Sequence, residues 1–330
     1  MLAHSLALTT GLCAAVCVVI AVVFVLLLSR TTTHSLVIKS QLQKRATLSR
    51  RGTDTHRNPS HAPRKTSSVA VITAIFGGYE TTCKPVVPQS IPCDFICFTD
   101  GNIVASNGWQ VDKTTHHLLS PSPDDTGVEH NSLRRNKHPF NIAKYYKQAF
   151  WCIPRLSDYE FVIWMDGTLE VTHPEAVERL VSAAKRKNIV VWKHSRANLA
   201  EEIEDSKRLD KYTHTEFNGY PQPVQDLDAH YKAIVRRGYT DEHWKTVDPS
   251  VIQPPVWVTC MVVFDMNAAD TIPFLRASYR ETLLYTTQDQ VSFTAVLFDK
   301  RMTPHTLPNA DIKGRHWHDT QLYHGHSHGR

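Results

Sequence analysis

The sequence predicts an α/β domain with a mainly parallel, helix-covered sheet, carried behind one N-terminal membrane-spanning helix. Three observations lead there. An unbroken apolar run lies at the N-terminus, and a basic stretch without apolar period follows it. From Val69 onward, short β-branched apolar runs alternate with segments of helical period. Strands that are apolar throughout, rather than alternating, belong to a sheet covered on both faces.

Residues 11–28 carry no charge, and with Leu6 and Leu8 they supply about 20 residues, enough to cross roughly 30 Å of hydrocarbon as a helix. A cleaved signal peptide is the alternative. No basic residue precedes the run, however, and no small-x-small pattern stands near Ser29. Residues 1–28 are therefore expected to form an uncleaved signal anchor. Residues 30–65 hold nine Lys or Arg against one acid, Asp54, while the rest of the chain holds 28 basic and 31 acidic residues. The positive charge thus belongs to a flexible stem, 29–68. The near-neutral remainder argues against a nucleic-acid-binding domain. With its basic residues after the span, the chain would keep its domain in the cytoplasm by the positive-inside rule, a bias that long domains override.

The folded domain is expected over 69–312. VAVITAIF (69–76) reads as a buried strand entering Gly77-Gly78, and DFICF (94–98) as a second strand ending at Asp100-Gly101. A helix is expected over 140–151, followed by EFVIWMDGTLEV, whose strand 161–165 delivers Asp166. Thr172, Pro174 and Glu175 compose a capping box with proline in the first turn, opening a helix to about Lys187. Strands at 189–192 and 258–264 and helices at 198–212, 229–237, 272–285 and 289–298 complete the domain. No internal repeat is present. The His-rich tail, 313–330, reads as loose. Of seven cysteines, Cys13 and Cys17 fall in the span. The other five are widely spaced, which favours buried thiols with at most one or two disulfides over a zinc site.

In open α/β sheets, ligands bind beyond the carboxyl ends of strands. Three candidate groups fall there: Gly77-Gly78-Tyr79, Asp100, and Asp166-Gly167-Thr168. An aspartate delivered into a glycine turn suits a divalent cation bridging phosphates. It is equally a common way to start a turn. No Walker lysine loop and no G-x-G-x-x-G follows the first strand, so P-loop and dinucleotide readings fail. His194 and Arg196 follow another strand, where arginine suits phosphate recognition or pairs with Glu201 or Glu202. Thr287-x-x-Gln290 reads as a second capping box, with Asp289 at the positive end of a helix.

The stretches VITAIFGGYE, CDFICFTDG, YEFVIWMDGTLEV, KHSR, KYTH and QDQVSF, in that order over 69–298, resemble the plant-type glycosyltransferase-like family named after turgor-regulation-defect and mucilage-related proteins. The resemblance implies a GT-A-like, Rossmann-type α/β/α sandwich in a type II Golgi membrane protein with a lumenal domain. It also implies a nucleotide-sugar donor, a glycan or glycoconjugate acceptor, and Mn²⁺ or Mg²⁺. Asp166 would stand where such enzymes place a D-x-D metal motif, here D-G-T, so the second carboxylate is missing. His316 or His318 would complete the metal shell. His324 onward reads as adventitious metal affinity. Thr73, Phe76, Gly77, Gly78 and Tyr79 would line the nucleoside, and Asp100 would meet base or ribose. Lys147 would neutralise the diphosphate, unless it is simply a solvated helix lysine. Gly167, Thr168, His194 and Arg196 would lie along the donor. Asp289 and Gln290 would sit near the sugar, with Asp289 orienting the acceptor or acting as base. Gln288 stands where the family has arginine. Two rival readings are a membrane-lipid amide hydrolase, ceramidase-like, and a non-catalytic glycosyltransferase-like binding module.

Overall fold

The computed structural model describes residues 67–307, apart from 102, 120–137, 195, 197, 218, 223 and 245–255, together with 323–325. The expected span, nearly all of the stem, and His316 and His318 lie outside the described residues. Among the described residues, no helix is long and apolar enough to cross a membrane.

Seven strands form the central sheet: β1 (Val69–Ile75), β2 (Asp94–Thr99), β3 (Gln110–Asp112), β4 (Phe161–Met165), β5 (Ile189–Lys193), β6 (Trp257–Asp265) and β7 (His305–Leu307). Their order is β3-β2-β1-β4-β6-β5-β7. The pairs β1/β2, β1/β4, β2/β3 and β5/β7 are parallel, with Ile72 level with both Ile96 and Trp164. β6 runs antiparallel to both its neighbours. The sheet is therefore mainly parallel, as expected, with one reversed strand near its middle. Nothing in WVTCMVVFD marks that reversal, because a strand buried on both faces is apolar whichever way it runs.

The side-chain period of two divides β1 between two cores. Ala70, Ile72 and Ala74 pack on one face with Tyr146, Phe274 and Phe293; Val69, Val71 and Ile75 pack on the other with Val177, Leu180 and Val181. Six helices of eight or more residues are present among the described residues: α1 (Pro139–Gln148), α2 (Ala176–Ala184), α3 (Leu199–Ser206), α4 (Leu227–Arg236), α5 (Thr271–Leu284) and α6 (Asp289–Asp299). α1, α5 and α6 contribute to the first core and α2 to the second, giving three layers.

Four sequence expectations change, the first being the helix over 198–212, which is divided into α3 and a short helix Asp210–Thr213. α2 starts at Ala176 without a side-chain cap, and the Thr172 capping box does not form. The Gln89 side chain takes the Val177 N–H at 3.0 Å instead, and Glu175 pairs with Arg179 one turn on, at 2.7 Å. The helix expected over 140–151 ends at Gln148, and Phe150–Cys152 tighten into a 3₁₀ turn. The tail is not wholly loose, because Tyr323–Gly325 pair antiparallel with Leu169–Val171. The five cysteines from Cys83 onward are all free thiols.

From β1 the chain passes to β2 on one side, while β4 lies on the other, so a crevice opens at the carboxyl ends of β1 and β4. The loop over it is set by Gly77 and Gly78, both left-handed at φ +67° and +68°. A Cβ on Gly77 would also lie 2.3 Å from Pro139 Cγ, whereas one on Gly78 would meet open space. Gly77→Ala is therefore expected to cost about 3 kcal/mol, from overpacking added to backbone strain, and Gly78→Ala about 1 kcal/mol from strain alone. Urea unfolding of the two variants measures the difference; equal losses would remove the close contact with α1 from this account.

Candidate active site

Trp164 and Asp166 leave β4 on the same side, two residues apart, so the indole N–H reaches Asp166 Oδ1 at 2.7 Å. The Asp166 amide donates to Cys260 O on β6, and its carbonyl accepts from Leu169, closing a turn. Gly167 lets that turn lie against β1, since a Cβ there would come within 3.0 Å of Ile75. Asp166 therefore starts a turn with its backbone and still presents a carboxylate, 38% exposed, to the crevice.

α1 supplies the partner charges. Lys144 and Lys147, three residues apart, share one helical face, and both are buried. Lys144 Nζ lies 2.5 Å from Asp289 Oδ1, and Lys147 Nζ lies 2.5 Å from Asp289 Oδ2 and 3.3 Å from Asp166 Oδ1. Thr259 Oγ1 on β6 donates to Asp289 Oδ2 at 2.7 Å. Asp289, 6% exposed, is thus fully engaged. Burial alone would raise its pKa, but the charges of Lys144 and Lys147 outweigh burial and hold the carboxyl far below the usual range. Lys147 moves up: burial opposes its charge, and Asp166 and Asp289 overcome that. A carboxylate so strongly stabilised in its charged form is a poor proton acceptor.

These groups line a cavity of about 300 Å³ together with Phe140, Lys211 and Arg196. Lys211 Nζ stands 5.1 Å from the centre of the Phe140 ring and 4.9 Å from that of Tyr212. Burial, then the nearby charge of Lys144, pushes Lys211 down to about 8. Burial, followed by Asp166, raises the Cys260 thiol well above its usual range, so this thiol is no nucleophile at neutral pH. A larger and more open depression, about 650 Å³, lies beside Arg237 and Asp299, whose charges pair with each other at 3.1 Å.

The structure sorts the sequence candidates. Asp166, Lys147, His194, Arg196, Asp289 and Gln290 all line the one cavity. Thr168 is buried and hydrogen-bonds the Tyr79 side chain, which lies within the field of Asp166. Thr73 and Phe76 are buried too, at 2% and 4% exposure, and Phe76 stacks on Tyr146 in the core, so neither ring nor hydroxyl lines the crevice. Asp100 accepts the Gly77 N–H at 2.6 Å, tying the ends of β1 and β2 together. Arg196 is paired with Glu202 and Asp205, both at 2.5 Å. His194 Nδ1 accepts the Arg196 N–H at 2.9 Å, leaving the ring proton on Nε2. Burial first and Arg196 second lower His194 to about 4, so it is neutral at pH 7. The Thr287 capping box does not form: α6 has no side-chain cap, and Gln225 takes both the Thr287 amide and hydroxyl. Gln288 bonds Glu202 and Ser206 and accepts from Tyr212 at 2.9 Å, so it joins α3 to α6.

Sequence reading missed Lys144, Lys211, Thr259 and Phe140. Lys144 was findable, since it precedes Lys147 by three residues and so shares a helical face with it. No family model and no curated protein matches this chain. Among solved structures, it is similar to mouse xyloside xylosyltransferase 1 in its apo form, at 9% identity and a TM-score of 0.41, over 73% of this chain and 84% of that one.

Removing Asp289 would leave two buried ammonium groups sharing one half-exposed carboxylate, Asp166, which reaches only Lys147. Asp289→Asn is expected to lose about 3–5 kcal/mol. Because the folded pKa lies below the unfolded value of about 3.9, the wild-type contribution is present above that value and is lost progressively as pH falls below it. Acid titration of unfolding free energy should show this slope in wild type and a shallower one in Asp289→Asn; parallel slopes would count against the assignment.

Proposed function

We propose that this chain is a glycosyltransferase of GT-A-like fold that moves a sugar from a nucleotide-diphosphate donor to a glycan or glycoconjugate acceptor. One observation carries the reading. At the carboxyl ends of β1 and β4, three lysines (144, 147 and 211) gather around two carboxylates (166 and 289) on one side of a partly closed cavity, apart from Arg196 with its two acids Glu202 and Asp205. Such a cavity complements a departing diphosphate. The sequence resemblance to glycosyltransferase-like proteins agrees with it.

In the reaction, the bond from the anomeric carbon to the diphosphate oxygen breaks, and the nucleoside diphosphate leaves with the electron pair. The acceptor oxygen bonds to the anomeric carbon and passes its proton to the departing diphosphate. Asp289 is committed to Lys144 and Lys147, so its part is to fix those ammonium groups. The exposed carboxylate of Asp166 is the group free to orient a sugar or acceptor hydroxyl. The Gly77-Gly78-Tyr79 loop, pinned by Asp100, would meet the nucleoside from beyond the lysine cavity. In this reading, residues 1–28 anchor the enzyme in the Golgi membrane with the domain in the lumen.

The test uses the full chain in detergent and a panel of sugar nucleotides. One donor class should raise the unfolding temperature by about 5 °C or more at a hundredfold excess over its Kd. Asp166→Asn should keep that stabilisation while turnover, followed as released nucleoside diphosphate, drops at least about tenfold. Stabilisation without turnover on any acceptor would favour a binding module. No response to any nucleotide would sink the transferase and reopen the lipid-amide hydrolase.

A further inference from the structure

A divalent cation at the D-G-T turn is what the sequence resemblance implies, and the described donors do not fit one. Asp166 Oδ1 already accepts from Trp164 Nε1 at 2.7 Å and meets Lys147 Nζ at 3.3 Å. Both oxygens of Asp289 are taken by Lys144, Lys147 and Thr259. Thr168 is turned to Tyr79 and is 9% exposed. Among the described residues, no three His, Cys, Asp or Glu side chains converge. One oxygen, Asp166 Oδ2, would remain for the ion. A doubly charged ion on that oxygen would lie within a few ångströms of the Lys147 ammonium, and like charges at that distance in a partly buried cavity repel strongly.

The charge that a metal would bring is already in place. Lys147 lies against the carboxylate of the D-G-T turn, with Lys144 one turn earlier on the same helix and Lys211 across the Phe140 ring. Lys144 Nζ sits 4.7 Å from the centre of that ring. Each buried ammonium has three N–H donors. Lys147 spends two on Asp289 and Asp166, and Lys144 spends one on Asp289, so donors remain on both. Lys211 forms no ion pair among the described residues. The other cation lining the cavity, Arg196, is spent on two carboxylates, Glu202 and Asp205.

We infer that the donor diphosphate is held without a divalent cation, by Lys147, Lys144 and Lys211 acting as a fixed triad of ammonium groups. The inference rests on the transferase reading and says how its leaving group is bound. An arriving anion relieves the mutual repulsion of the three lysines, and Lys211 is the one of them in no ion pair among the described residues. The ligand class is therefore a diphosphate, alone or esterified.

Inorganic pyrophosphate is the probe, titrated calorimetrically into the full chain in detergent, first after exhaustive EDTA treatment and then with Mn²⁺ restored. Binding in EDTA is expected, weakened at least tenfold in Lys147→Met and Lys211→Met and kept within about threefold in Lys211→Arg. Should Lys147→Met fail to fold, the half-buried Lys211 pair carries the comparison. Binding that appears only with Mn²⁺ would overturn the inference and leave the transferase reading standing. Metal-free binding indifferent to both lysines would overturn it too, by placing the diphosphate elsewhere. No binding under either condition, with no response to sugar nucleotides, would remove both readings together.

Discussion

The buried arrangement of Lys144, Asp289 and Lys147 is the constraint on which the rest of the site depends. It joins α1 to the first turn of α6 across the end of β6, and through Lys147 it reaches the turn that follows β4. Buried charges of this kind contribute little to stability, and an apolar group of the same volume often serves as well or better. What they provide is position. Two ammonium groups are held at fixed distances from one carboxylate, and a second carboxylate is left facing the cavity.

The surrounding polar groups serve the same placement. Gln288 and Glu202 form a hydrogen-bonded layer beneath Arg196, which holds α3 against α6 and sets the far wall of the cavity. Neutral His194 accepts the Arg196 N–H, and the Arg196 guanidinium is held at the cavity wall by Glu202 and Asp205. The ammonium groups facing a ligand therefore come from α1 and from the short helix Asp210–Thr213.

Much of this was legible in the chain. β4 and Asp166 were read at their observed positions, because five apolar residues ending in Asp-Gly have few other meanings. α5 and α6 were read to within a residue or so at their ends, from their period. β3 and β7 were missed, since three half-exposed residues at a sheet edge show no pattern. The partner of Asp289 could not be read. Lys144 lies 145 positions earlier, and local sequence made a helix cap the natural role for an acid at that place. The pairing arises only when the sheet brings α1 and α6 together, so it is a property of topology rather than of either segment.

The pairing of Tyr323–Gly325 with Leu169–Val171 bears on how the protein is made. Synthesis past residue 307 releases every strand of the central sheet, so the main layers can assemble on the ribosome. The strand just after the D-G-T turn still has an open edge at that stage, and such edges recruit other chains. It is covered only after residue 325 has left the exit tunnel. A chain cut short between those points would carry the central sheet with that strand's edge uncovered.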